Sequence, residues 1–449
     1  MLLSEQEAKA ICQKLLGYGK ADDVVVAMES EAFSHLRFAA NTFTTSGRRE
    51  DLEVSVTSWI DGKKGTASTN ETDDASLEAA VRQAEQLARL SPVDREYLPT
   101  LGPQQYKPSH GYVEATANIS PEARAKSIND VIAACEKDQV VGAGFHQARG
   151  VATATATKNG NFYYGRSSLV SLSVTARTRE ASGSGYFLRN HYDAAKLDTA
   201  RIARESIGKA LRSRDARTLD AGTYTVILEP QAVADLLGFL AFFFDARSAD
   251  EGRSAFSAPG GKTKVGEKIF DERISVYSDP WHPDLPASPM AQGGIPARKF
   301  YLVRDGVLET LVYSRFWAKQ KQKEPSPGPV NAIMESSKPP ASLDDMIRAT
   351  DRGLLVSRFW YLRLVDPRTL LLTGLTRDGV WYIEKGAIRY PVRNFRFNQS
   401  ILEMLSTGNV ELIGAPERVS NSESQGSNSA LLPALKVKQF HFTSQSEAV

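Results

Sequence analysis

Val226–Asp245 reads VILEPQAVADLLGFLAFFFD, the longest apolar helical pattern in the chain. Thr225–Leu228 has the β-branched, apolar character of a short strand, and Pro230 closes it. Val233, Leu236, Leu237, Leu240 and Phe244 then fall on one stripe at a helical period, which predicts a buried helix packed under a sheet. Asp235 interrupts the run, and Val233–Phe244 is too short for a bilayer, so no membrane span is expected.

The chain around this stretch has 449 residues, enough for two domains, each with a sizeable core. A net charge of +2 and the lack of a basic block with interleaved aromatics argue against nucleic acid as a partner. Cys12 and Cys135, the only cysteines, form neither a CxxC motif nor a disulfide framework. The start, MLLSEQEAKAICQKLLG, is acidic and helically periodic rather than basic and continuously apolar, so a cytoplasmic protein without a targeting segment is expected.

Before the central stretch the pattern is α+β. Ser4 with Glu7 predicts a capped first helix with Ala8, Ile11, Leu15 and Leu16 inward. Strands follow at Asp22–Glu29 and from Leu36 to Trp59, with Asp61–Gly62 as a turn. A helix over Asp73–Leu90 presents Ala80, Val81, Ala84, Leu87 and Ala88. Pro92–Pro108 reads as a loop. Ser120–Pro121 opens a helix through Ala134, Asn159–Gly160 joins strands at Val151–Thr157 and Leu169–Thr178, and Ala194–Leu211 is again helical. Helix, strands and helix thus occur twice, which points to an internal duplication within an N-terminal domain of residues 1–215.

Residues 216–449 read as a mainly β domain carrying the central helix. Gly252–Lys268 and the proline-rich Asp279–Pro296 are loops, while Asp305–Gly306 and Lys385–Gly386 mark hairpins. Ser342 with Asp345 caps a short helix, Leu354–Leu372 supplies strands, and Ser400–Leu405 is a short helix. Ser420–Ser429 is a polar low-complexity loop before a last strand at Leu435–Thr443.

Three passages, in order, carry a resemblance. VTSWIDGKKGTASTN begins at Val56 and runs into an alanine-rich helix ending at Leu90. GGIPARKFYLVRDGVLETLVYS covers Gly293–Ser314, and VWYIEKGAIRYPVRNFRFNQSILEML covers Val380–Leu405. Together they resemble the TldD/PmbA family, described as modulators of DNA gyrase and regarded as peptidases. The resemblance implies a two-part architecture that fits a boundary near residue 215.

In the metallopeptidase branch of that family, a helix after the boundary carries HExxxH and a later cysteine completes the zinc site. Imidazoles and a thiolate hold the metal, the glutamate serves as general base, and an open coordination position activates water. Aligned on that helix, Gly238 falls at the glycine before the second histidine, Ala234 replaces the first histidine, Asp235 the glutamate and Phe239 the second histidine. No histidine lies between His191 and His282, and no cysteine follows Cys135. The resemblance is therefore to the PmbA-like, TldE-like branch without the zinc motif. It implies no metal or cofactor, no catalytic residue, and partnership with a zinc-bearing TldD-like subunit acting on peptides.

Other candidates are weaker. His35, His110, His146, His191, His282 and His441 have no two members at ligand spacing. Asp235 reads as an acid in a helix's N-terminal turn, with a relic general base as the alternative. Asp193 lies near His191 without a GxSxG elbow, and PGGKTK at Pro259–Lys264 lacks the first glycine of a phosphate loop, where Phe256 stands. Two functional classes follow. One is a non-catalytic subunit that binds a peptide, by strand addition at a sheet edge, for a metal-bearing partner. The other is a peptidase with an unconventional centre. A homodimeric peptide-binding protein is a further alternative.

Overall fold

The computed structural model describes residues 2–424 and 429–446, and its strands gather into two large sheets. The first part contains α1 (Glu5–Tyr18), β1 (Asp23–Ala39), β2 (Thr42–Ile60), β3 (Lys63–Thr69), α2 (Asp74–Leu90), α3 (Glu114–Ala117), α4 (Pro121–Lys137), β4 (Val140–Thr157), β5 (Phe162–Thr178), β6 (Ser184–His191) and α5 (Thr199–Arg212). Its six strands run β3-β2-β1-β4-β5-β6, antiparallel throughout. Each half of that order is a three-strand meander flanked by helices, the repeat expected from the helix and strand pattern.

Alternation along β1 decides which face is covered. Val24, Val26, Met28, Leu36 and Phe38 are buried. The first three pack with Leu15, Val81 and Ala84 of α1 and α2, the last two with Ile128, Val131 and Ile207 of α4 and α5. The same close approach recurs in both halves. A Cβ on Gly65 of β3 would lie 2.2 Å from the Ala84 carbonyl oxygen, and one on Gly185 of β6 would lie 2.2 Å from that of Ser206. Within α2 the inward face includes Leu77, whereas Leu87, expected inside, is exposed.

The second part contains β7 (Gly222–Leu228), α6 (Pro230–Leu237), α7 (Ala246–Asp250), β8 (Ser257–Ala258), β9 (Lys262–Thr263), β10 (Ile274–Ser278), β11 (Phe300–Arg304), β12 (Val307–Leu308), α8 (Arg315–Gln320), β13 (Ala332–Ser336), α9 (Leu343–Arg348), β14 (Arg352–Asp366), β15 (Leu371–Glu384), β16 (Ala387–Pro391), β17 (Phe395–Ser400), α10 (Ile401–Met404), β18 (Val410–Ser420) and β19 (Ser429–Gln445). β19 organises the larger sheet, pairing along its length with β13, β18, β7 and β17. α6 packs on β14, β18 and β19, and all eight of its residues are buried. Residues 425–428, the centre of the polar passage, lie outside the described residues.

The central helix differs from expectation in length. It stops at Leu237, and after the turn at Gly238 the chain continues as a 3₁₀ segment, Leu240–Phe244. The stripe of Val233, Leu236, Leu237, Leu240 and Phe244 is nevertheless wholly buried. Apolar spacing over so few residues fits either helix type, and only tertiary packing decides between them. The change of path leaves Phe242 77% exposed. Nor is this the second part's one helix, since four shorter α-helices accompany it among the described residues. Among the described residues no helix is long and apolar enough to cross a membrane.

Polar contacts, several of them buried, join the two parts. Lys209 of α5 reaches Glu229 at 2.5 Å and Ser357 at 2.8 Å. Arg189 and Arg201 share Glu417 at 2.7 and 3.0 Å. Ser184 and Arg358 both bind Asp378, and the Trp381 indole N–H donates to the Arg212 carbonyl at 3.1 Å.

Candidate functional site

A cleft of about 790 Å³ opens where the two sheets meet. Ala234, Leu237, Gly238 and Phe239 form one wall, Arg149 and Ser167–Leu169 of the first sheet another, and Asn331, Arg418 and Leu432 belong to the larger sheet's side. Its size is that of a ligand site rather than a packing defect. The wall is mostly apolar, with Phe242 at its surface.

The central motif positions separate in space. Ala234, Gly238 and Phe239 line the cleft. Asp235 does not line it, and its side chain is 1% exposed. Its carboxylate accepts the backbone N–H of Phe359 at 2.9 Å and that of Ser422 at 2.8 Å, the Ser422 hydroxyl at 2.5 Å and the Gln231 amide at 3.2 Å. Burial raises its pKa to about 6, against the lowering effect of the bonds from Ser422 and Phe359. Asp235 is thus a cross-link from α6 to β14 and the chain after β18. It lies in the last turns of an eight-residue helix, so the reading as an N-terminal-turn acid is corrected.

The histidines stay apart. His35 stacks between Phe33 and Phe145, His110 edges Tyr192, and His441 meets the Thr223 hydroxyl at 2.8 Å. His282 Nδ1 accepts the Asp284 N–H at 3.2 Å. His146 is buried in β4, where desolvation and then Arg124 bring its pKa down to about 4. His191 accepts the Asp193 N–H at 2.9 Å, and burial followed by Arg418 and Lys196 lowers it to about 4 as well. Cys12 packs beside Met28 in the first part, and burial pushes its thiol up to about 12. Cys135, also in the first part, is pushed up to about 11.

Among the described residues no three His, Cys, Asp or Glu side chains converge as metal ligands. The cleft wall holds neither histidine nor cysteine, and Glu423 is its one carboxylate among those residues. This donor set does not fit a tetrahedral zinc site built from nitrogen and sulfur ligands.

PGGKTK is the tip of the β8–β9 ribbon, with Gly260 and Gly261 both at positive φ. Its glycines serve a turn. Sequence reasoning missed Arg149, Asn331, Arg418 and Asn421 on the cleft wall. They come from distant segments, and no spacing rule links them.

Residues 221–444 match the family model described as PmbA/TldA metallopeptidase C-terminal domain, and residues 24–88 match PmbA/TldA metallopeptidase domain 1. A metalloprotease of Archaeoglobus fulgidus is 36% identical over 59 residues, a match spanning 13% of this chain and 14% of that protein. The crystal structure of TldE from Thermococcus kodakarensis has a TM-score of 0.84 at 19% identity, covering 97% of this chain and 99% of the other. A proposed modulator of DNA gyrase from Thermotoga maritima gives 0.83 at 17% identity, covering 97% and 100%. One from Bacteroides thetaiotaomicron gives 0.83 at 18%, covering 99% and 100%. The fold is therefore shared across nearly the whole chain.

Proposed function

The chain belongs to the PmbA/TldD metallopeptidase family, and on that premise we propose that it is a peptide-binding subunit of a proteolytic complex whose zinc is carried by a TldD-like partner. One observation carries the proposal: the positions that would hold zinc and its base are Ala234, Asp235 and Phe239, yet the cleft beside them is open and mostly apolar. Ala234 and Phe239 offer no donor to a metal. Asp235, the remaining candidate base, is held by four hydrogen bonds away from the cleft. A general base must reach the proton it abstracts, directly or through one water.

What the chain retains is a concave surface suited to an extended peptide, with apolar walls and a few polar groups to orient it. In this reading residues 1–215 and 216–449 act as two units closing on that peptide, and the chain works in the cytoplasm. The test is cleavage of an unstructured peptide by this full chain, by a zinc-bearing TldD-like subunit, and by their mixture. The proposal expects no cleavage by this chain and more by the mixture than by the partner alone. Cleavage by this chain alone would overturn it.

A further inference from the structure

Arg418 of β18 is a cation on the cleft wall whose direct hydrogen-bond partners among the described residues include no carboxylate, Asp284 acting on it only through space. Its Nε donates to Asn190 Oδ1 at 2.8 Å, one terminal nitrogen to the Asp284 carbonyl at 2.6 Å, and the other to the Ser429 hydroxyl at 3.3 Å. All three acceptors are neutral. A guanidinium has five N–H groups, so two remain.

The adjacent residue shows the contrast. Glu417 is shared as ion-pair partner by Arg189 and Arg201, while no described carboxylate lies within ion-pair distance of Arg418. Residues 424–428, which precede its partner Ser429, read SQGSN and contain no acid. Arg149, the other arginine on the wall, already faces Glu31 at 3.7 Å.

The support beneath Arg418 is built. Asn190, 3% exposed, accepts from both Arg418 and the Ser429 hydroxyl and donates to Ser420. Burial lowers the Arg418 pKa to about 10, against the opposing effects of Tyr192 and Asp284. Holding a desolvated cation among neutral acceptors is unfavourable, and an arriving anion would offset that.

We propose that Arg418 recognises a carboxylate of the bound peptide, either its C-terminal α-carboxylate or an acidic side chain. This rests on the peptide-binding reading above. The planar fork of arginine suits two parallel hydrogen bonds to a carboxylate and fixes the peptide's register as well as its affinity.

Calorimetric titration of the full chain tests it with three N-acetylated pentapeptides. They are Val-Ala-Leu-Val-Ala as the free acid, the same peptide as its C-terminal amide, and the amide with glutamate replacing leucine. One carboxylate peptide is expected to bind at least about tenfold tighter than the neutral amide. Preference for the free acid identifies the terminal carboxylate, and preference for the glutamate amide identifies a side chain. Arg418→Gln is expected to abolish the preference of the carboxylate peptide over the neutral amide. Arg418→Lys, which keeps the charge but loses the fork, should be intermediate and decides the matter if the Gln variant does not fold. Binding of all three alike to the unaltered chain, or an undiminished preference in both variants, overturns the assignment of Arg418 alone. No binding by any of the three removes the peptide-binding reading and this inference with it.

Discussion

The carboxylate of Asp235 accepts the backbone N–H of Phe359 at 2.9 Å, tying α6 to β14 beneath the cleft. Its pKa is raised from 3.8 to about 6, chiefly by burial. Between those values the folded chain holds a proton that the unfolded chain has released. The group's stabilising contribution is therefore full below about pH 4 and lost as pH rises to about 6. The stability difference between the unaltered protein and Asp235→Asn should fall across that window by up to about 3 kcal/mol. Urea denaturation at pH 4, 5, 6 and 7 measures this. A difference independent of pH would mean that Asp235 titrates in the ordinary range.

Lys209 and Glu229 form a buried pair between the two parts, 2% and 8% exposed. Removing one partner strands the other charge away from water. Lys209→Met should cost roughly 3–5 kcal/mol, and adding Glu229→Gln should recover much of the loss. Denaturant midpoints for the two variants check both statements. A double variant no more stable than Lys209→Met would show that the lysine's packing, rather than its charge, is what matters.

Gly65 and Gly185 let α2 and α5 lie directly on edge strands of the first sheet. A methyl group at either position meets helix backbone at 2.2 Å. Gly65→Ala and Gly185→Ala should each destabilise by about 1–3 kcal/mol through overpacking. Gly208, inside α5, has nothing within 4 Å of a built Cβ, and Gly208→Ala should stabilise by up to about 1 kcal/mol. Thermal melts of the three single variants should show that opposition in sign. Equal effects would mean that the helices can shift away from the sheet at little energetic cost.

Features encoded by neighbouring residues were legible in the sequence. Asp61–Gly62, Asp305–Gly306 and Lys385–Gly386 all adopt positive φ at the turns where they were expected. Ser4 and Ser342 both close capping boxes. β6 escaped because nearly every residue in it is buried, which erases the two-residue alternation. β13, β17 and β18 are short or irregular and owe their form to pairing with the distant β19. Turn chemistry acts within a few residues, whereas the cleft is assembled from at least six separated segments. The motif helix could therefore be located in the sequence, but the placement of Ala234 and Arg418 on the cleft wall and of Asp235 away from it could not.

Metal stoichiometry by elemental analysis of tag-free, gently purified full chain tests the central claim most directly. The account predicts zinc far below one atom per chain. About one tightly held zinc per chain would contradict it.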